Sequence, residues 1–288
     1  MSDVVISAKD LGIHFKQGKR KRKPSLKDAF GNAERRQGRK QEQFWALRNV
    51  SFDVRQGESI GVVGRNGQGK STLLKMVAGV LLPDEGSVKV SGGVSPLIEL
   101  TGGFEGDLTV RDNVYLTAGL HGLRRAQVDA EFDDILAFSE IGDFVDTPYK
   151  YLSSGMKVRI AFAVMSRLEE PILLVDEVLA VGDAAFKKKC YKRIEDLLSD
   201  NKTLFFVSHS EKDLREFCER GLYLDKGQLV LDAPIQDAFQ RYNSDHGIAE
   251  EKSKSTKSER DRADKSDTDR SSRARARSGA RASARPQY

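Results

Sequence analysis

Gly64-Arg65-Asn66-Gly67-Gln68-Gly69-Lys70-Ser71-Thr72 decides how this chain is read. Gly, four residues, Gly, Lys, then Ser or Thr is the pattern of a phosphate-binding loop. Before it, Ser59-Ile60-Gly61-Val62-Val63 is a short apolar run that predicts a buried strand. After it, Thr72-Leu73-Leu74-Lys75-Met76-Val77-Ala78 has the spacing of a helix. A Gly-rich turn followed by a chance Lys-Ser would explain neither flank. The glycines permit close approaches and backbone angles that a β-carbon blocks. Successive N–H groups can then face phosphate oxygens at the positive end of the helix. Lys70 is expected to reach the β- and γ-phosphates, and Ser71 to place its hydroxyl on Mg²⁺.

A second chemical element lies at Ile172-Leu173-Leu174-Val175-Asp176-Glu177. Four apolar residues ending in two acids predict a buried strand that delivers carboxylates to the carboxyl edge of a parallel sheet, where α/β folds bind ligands. Asp176 can hold Mg²⁺ through water. Glu177, one residue on, points elsewhere and can polarise an attacking water. Alone this is a strand ending in an acidic turn; with a phosphate loop upstream it becomes half of a nucleotide site. Thr203-Leu204-Phe205-Phe206-Val207-Ser208-His209 is a strand ending in a histidine, whose imidazole could hydrogen-bond the γ-phosphate or the water. His14, His121 and His246 have no such setting and read as surface or packing residues. Leu152-Ser153-Ser154-Gly155-Met156 opens a strongly helical run, a second anion-ready helix N-terminus. By spacing alone it is an ordinary N-cap.

Composition bounds the rest. The 288 residues suffice for one large domain or two small ones. Mean hydropathy is −0.50. No apolar run approaches the roughly 20 residues of a membrane span. Met1-Ser2-Asp3-Val4-Val5-Ile6-Ser7 lacks the basic start and apolar core of a signal peptide, so a cytosolic chain is expected. Cys190 shares a helical face with Phe186, Ile194 and Leu197, and Cys218 follows Leu214 and Phe217; both read as core, not as disulfides. No Cys/His cluster has zinc spacing. The net charge of +5 is uneven: residues 250–288 carry +5, residues 16–43 carry +8, and the rest carries −8.

In chain order, Val4 to Phe15 reads as a first strand. Lys16 to Gln43, with Lys19-Arg20-Lys21-Arg22-Lys23, reads as an exposed insertion. Phe44 to Val54 returns to strand alternation, and Ser87 to Ser91 and Val94 to Leu100 add further apolar segments. Thr109 to about Ala137 is helical, opened by Thr109-Val110-Arg111-Asp112, a cap with an acidic third position. Ala184 to Leu198 is helical. Leu222 to Val230 forms a hairpin about Asp225-Lys226-Gly227. From Ala249 to Tyr288 large aliphatic and aromatic residues all but vanish and Ser, Arg, Lys, Asp and Ala dominate, so disorder is expected there.

Taken together, these motifs resemble an ATP-binding-cassette ATPase over residues 3 to about 245. Residues 64–72 stand at the phosphate loop, Ile172 to Glu177 at the acid strand, Leu152 to Met156 at the family signature and His209 at the switch histidine. Ala180-Val181-Gly182-Asp183 resembles the D-loop. Ser153-Ser154-Gly155-Met156 with Val158 to Val164, the insertion before Phe44-Trp45-Ala46-Leu47, and Glu99-Leu100-Thr101-Gly102-Gly103-Phe104 are similar to subunits that export capsular polysaccharide, O-antigen and teichoic acid. Two departures stand out. Ser154 and Met156 replace the usual Gly and Gln of the signature, and Glu99 stands at the Q-loop glutamine. Phe15 stands where an adenine-stacking aromatic is expected, with Trp45 its rival.

The resemblance implies an α/β fold: a phosphate-loop (RecA-like) ATPase core, an antiparallel β region and a helical signature subdomain over about 99–159. Residues 1–246 would form the nucleotide-binding domain and 247–288 a disordered basic tail. It implies a homodimer enclosing two ATPs with Mg²⁺, each between residues 64–72 of one copy and Ser153-Ser154-Gly155 of the other. It further implies a polytopic membrane permease, a lipid-linked polysaccharide cargo, and a peripheral place on the cytoplasmic face of the inner membrane, with no nucleic acid involved. The rival is a soluble cassette ATPase acting on nucleic acid or ribosomes, suggested by the basic segments.

Overall fold

The computed structural model describes residues 3–16, 43–98, 101–176 and 183–248. Residues 17–42 of the expected insertion, 249–288 of the expected tail, Glu99, Glu177 and Ala180-Val181-Gly182 lie outside the described residues. The chain divides into two units, Met1–Phe239 and Gln240–Tyr288.

Two sheets build the first unit. The smaller is antiparallel, in the order β2-β1-β4, from β1 (Val4–Lys16), β2 (Gln43–Arg55) and β4 (Glu85–Val90). The larger has the order β5-β6-β7-β3-β8-β9. Its strands are β3 (Ser59–Val63), β5 (Val94–Leu97), β6 (Ile172–Val175), β7 (Thr203–Val207), β8 (Arg220–Asp225) and β9 (Gln228–Pro234). All neighbours in it pair in parallel except β8 and β9, which form the expected hairpin. β6 and β7 are buried at every position, as a parallel strand covered on both faces must be. β1 and β2 alternate in part, with one face turned inward.

One core joins the sheets and α1 (Lys70–Val77). Leu11, Leu47 and Val50 of the small sheet meet Ile60, Phe205 and Leu222 of the large one, with Leu73 and Met76 of α1 among them. Each such side chain contributes about 1.5–3 kcal/mol when fully buried. Cys190 and Cys218 lie in the interior, and burial pushes the Cys190 thiol up to about 12, so both behave as core residues.

A separate helical layer has its own core. The helical pattern from Thr109 resolves into α2 (Val110–Leu120) and α3 (Arg125–Ser139), parted by a turn at Gly122. Val114, Phe132 and Ile135 pack there with Ile160 and Val164 of α4 (Ser154–Met165). Thr109 caps α2 as expected, accepting from the Asp112 N–H at 3.1 Å. The chain continues through α5 (Ala184–Ser199), α6 (Glu211–Phe217) and α7 (Ile235–Asp245). In the second unit the described residues end α7, where Arg241 pairs with Asp245 at 3.0 Å.

Candidate functional site

β3 ends at Val63, and the loop of residues 64–69 turns directly into α1. Gly64, Gly67 and Gly69 all have positive φ, of 153°, 80° and 96°. Gly69 is the N-cap of α1 and has no side chain, so no capping side chain competes with a ligand at the start of that helix. Lys70 is only 5 % exposed, and its ammonium donates to the carbonyls of Gly64 at 2.7 Å and Arg65 at 3.0 Å. The cation is held over the loop by contacts that a phosphate oxygen can replace. The β8–β9 turn braces the loop from behind: the Lys226 N–H donates to Gln68 Oε1, and the Arg48 N–H donates to Gly227 O at 2.8 Å.

Above the loop lies a cleft of ≈ 460 Å³, within the range of small-molecule sites. Its walls include Phe15, Phe44, Asn66, Gly67, Gly69, Lys70, Ser71, Thr72 and His209. Phe15 and Phe44 are cross-strand partners of β1 and β2, 44 % and 51 % exposed. Two large aromatics left that open at the mouth of a polar loop offer a stacking platform for a flat ring. Trp45, the rival of Phe15, is absent from the lining. It points to the opposite side of β2, against the ring of His14 at 5.1 Å and under the guanidinium of Arg48 at 5.0 Å. Phe44 was missed by sequence reasoning; strand alternation, which sends Phe44 and Trp45 to opposite faces, was the available signal.

The acid strand and the histidine strand converge on the same sheet edge. In the order β6-β7-β3, β7 separates β6 from the strand that feeds the phosphate loop. The three are parallel, so Asp176, His209 and Gly64 all follow carboxyl ends. At about 4.8 Å per strand the ends of β6 and β3 lie roughly 10 Å apart, a span a triphosphate can bridge. The residues present fit a nucleotide with Mg²⁺: Ser71 lines the cleft, and Asp176 is half-buried at the end of β6.

The remaining motif residues lie away from the cleft. Ser153 is the N-cap of α4, and its hydroxyl accepts from the Met156 N–H at 3.2 Å. Neither it, Ser154 nor Gly155 lines the cleft, and a Cβ on Gly155 would meet no heavy atom within 4 Å. Asp183 caps α5, with Oδ1 accepting from the Phe186 N–H at 2.9 Å and Oδ2 bound by Arg159. The Phe186 N–H, with Arg159 beside it, holds the Asp183 carboxyl below the usual carboxylate range.

Comparison with known proteins is consistent across sequence and fold. Residues 47–180 match the family model described as ABC transporter. The chain is 45 % identical over 190 residues to the O-antigen export system ATP-binding protein RfbB of Klebsiella pneumoniae, covering 66 % of this chain and 77 % of that protein. It is 38 % identical over 204 residues to the teichoic acids export ATP-binding protein TagH of Listeria monocytogenes, covering 71 % of this chain and 61 % of the relative. Among solved structures it resembles an ATP-binding cassette in a dimeric post-hydrolysis state bound to ADP and Pi. That match has a TM-score of 0.64 at 21 % identity, over 80 % of this chain and 98 % of the other.

Proposed function

This chain belongs to the ABC transporter ATP-binding family, and from that premise we propose that it is the ATP-hydrolysing subunit of an exporter for a lipid-linked polysaccharide. The observation that carries the cargo class is the 45 % identity, over 190 residues, to an O-antigen export ATPase, with a teichoic acid export ATPase also similar. Among the described residues no helix is long and apolar enough to cross a membrane. By analogy with relatives named as the ATP-binding proteins of export systems, a separate membrane-spanning permease completes the machine, and this subunit works as a peripheral protein on the cytoplasmic face.

The substrate is ATP. Phe15 and Phe44 take the base, the backbone N–H groups of residues 64–69 cradle the phosphates, and Lys70 exchanges its two carbonyl contacts for β- and γ-oxygens. Bound Mg²⁺, held by Ser71 and by Asp176 through water, would neutralise charge on those oxygens. Glu177 accepts a proton as a water oxygen attacks the γ-phosphorus, and the bond to the bridging oxygen of ADP breaks. His209 hydrogen-bonds the γ-phosphate and holds the water in line. Ser153 and Ser154, exposed at the start of α4, and the half-buried Gly155 meet the γ-phosphate of a second copy, and Asp183 lies beside that junction. Glu99 takes the place of the metal-side glutamine.

Two measurements test the reading. Glu177→Gln should bind ATP with unchanged affinity, lose at least a hundredfold in turnover and accumulate as an ATP-bound dimer; full hydrolysis by the variant would remove Glu177 from its role. Wild-type subunit purified from membranes should bring a polytopic permease with it, and recovery with ribosomes or nucleic acid would overturn the export assignment.

A further inference from the structure

His209 sits on a three-residue link between β7 and α6, and that link has ties outside the cleft. The Ser210 N–H donates to Ser208 Oγ at 3.0 Å, and the Asp213 N–H donates to Ser210 Oγ at 3.2 Å. The link is thus tied to the first turn of α6. That helix has seven residues, too few to be stable without tertiary anchors. Its anchors are Leu214, Phe217 and, less expectedly, Asp213, which is 7 % exposed.

A carboxylate buried that deeply must be partnered. Asp213 Oδ2 accepts from the Tyr191 hydroxyl in a short hydrogen bond and lies 3.4 Å from Lys187 Nζ. Lys187 and Tyr191 are four residues apart on α5 and share one face. The Tyr191 ring packs edge-on against Phe217 at 5.2 Å, and Phe217 meets Phe206 of β7 at 6.1 Å. Burial, reinforced by the Asp213 carboxylate, pushes the Tyr191 phenol well above its ordinary value, so it remains a donor at any working pH.

We propose that Asp213, clamped by Tyr191 and Lys187, is the positioning residue for His209, setting how the imidazole meets the γ-phosphate side of the cleft. The inference rests on the proposed role of His209. α5 starts at Ala184, capped by Asp183, a few residues beyond Asp176, which follows β6. Through the clamp, the helix that follows Asp176 in the sequence also holds the loop bearing the histidine. A buried pair that served stability alone would lower the melting temperature without touching His209.

The test uses the full chain and MgATP turnover. Tyr191→Phe removes one oxygen, Asp213→Asn keeps an acceptor for the phenol, and Asp213→Ala removes both contacts. We expect kcat to fall about tenfold in Asp213→Ala and a few-fold in Tyr191→Phe, with Asp213→Asn between, while KM for ATP stays within about twofold. The imidazole Hε1 resonance of His209, assigned by its loss in His209→Gln, should move in Tyr191→Phe while those of His14 and His121 stay. Leu197→Val, a core change elsewhere on α5, serves as a control that lowers stability without moving that resonance. If Asp213→Ala does not fold, Tyr191→Phe decides by the same two readouts. An unmoved resonance and unchanged kcat in Tyr191→Phe, with His209→Ala inactive, would overturn the clamp. Full turnover by His209→Ala would instead overturn the reading of His209 on which the clamp depends.

Discussion

Gly67 and Gly69 stand two residues apart in one loop, both in the left-handed region, and differ in what surrounds them. A Cβ on Gly69 would lie 2.6 Å from the Ala46 carbonyl and 2.7 Å from Leu47 Cδ2, against the backbone and core of β2. Gly67 lines the cleft, and a Cβ on it would meet no heavy atom within 4 Å. An L-residue in this conformation costs about 1–2 kcal/mol in either position. Gly69→Ala should therefore cost more than this in folding stability, because β2 must also shift. Gly67→Ala should cost only the conformational part, yet lose at least tenfold in nucleotide affinity, because its methyl intrudes where phosphate binds. Chemical denaturation without nucleotide and titration with a fluorescent ATP analogue separate the two effects. Equal stability losses, or unchanged affinity in Gly67→Ala, would contradict this account of the loop.

The C-terminal end of α3, the middle of α4 and the first two turns of α5 meet in a charged junction. Glu140, the left-handed C-cap of α3, accepts from Arg159 of α4 at 2.7 Å and from Lys189 of α5 at 3.1 Å. Arg159 also binds the Asp183 cap of α5 and lies over the Phe186 ring at 4.8 Å. Lys189, with Arg159 beside it, holds the Glu140 carboxyl below its ordinary value of 4.5, and Asp183 lies below its ordinary value of 3.8. Because both folded values are depressed, the stabilisation is fully present above these ordinary values and is lost as pH falls below about 4.5 through the folded values. Both carboxylates are open to solvent, so the effect is local and salt-sensitive. Protection of the amides against exchange, corrected for the intrinsic rate, should fall in the last turn of α3 and first turn of α5 on acidification below about pH 4.5, ahead of the large sheet. Arg159→Ala should show that lower protection already at neutral pH. A uniform fall across the sheet would mean that the junction has no separate stability.

On the scale of the molecule, the site as proposed is incomplete in one chain. The cleft supplies the phosphate loop, the aromatic pair and His209, whereas Ser153, Ser154 and Gly155 do not line it. Two copies in head-to-tail register would make two equivalent sites. Ser153→Arg should abolish hydrolysis in the homodimer but leave ATP binding to the monomer within about twofold, since the change lies outside the cleft. Lys70→Ala should weaken binding in its own cleft by tenfold or more. Mixed dimers of the two variants contain one site free of both changes and should recover part of the activity. No recovery would place the signature's action within its own chain.

The parts legible in the sequence were those whose chemistry is local. Residues 64–72 demand particular backbone angles and donors from nine consecutive positions, and Ile172 to Asp176 announces a buried strand with an acid at its end, so each motif is complete in its own segment. The helical stretch from Thr109 was visible too, because caps and periodicity act over a few residues. What only the tertiary structure decided came from pairing across long separations. Alternation says that Phe44 and Trp45 face opposite ways, but not which of them meets the cleft; the pairing of β1 with β2 settles that for Phe44. The same holds for Lys226 behind the phosphate loop and for Asp213 against Tyr191, whose partners lie 158 and 22 residues away. Such contacts depend on which surfaces the closing core brings together, and the strand order β6-β7-β3, which gathers Asp176, His209 and Gly64 at one edge, exists only once that core has formed.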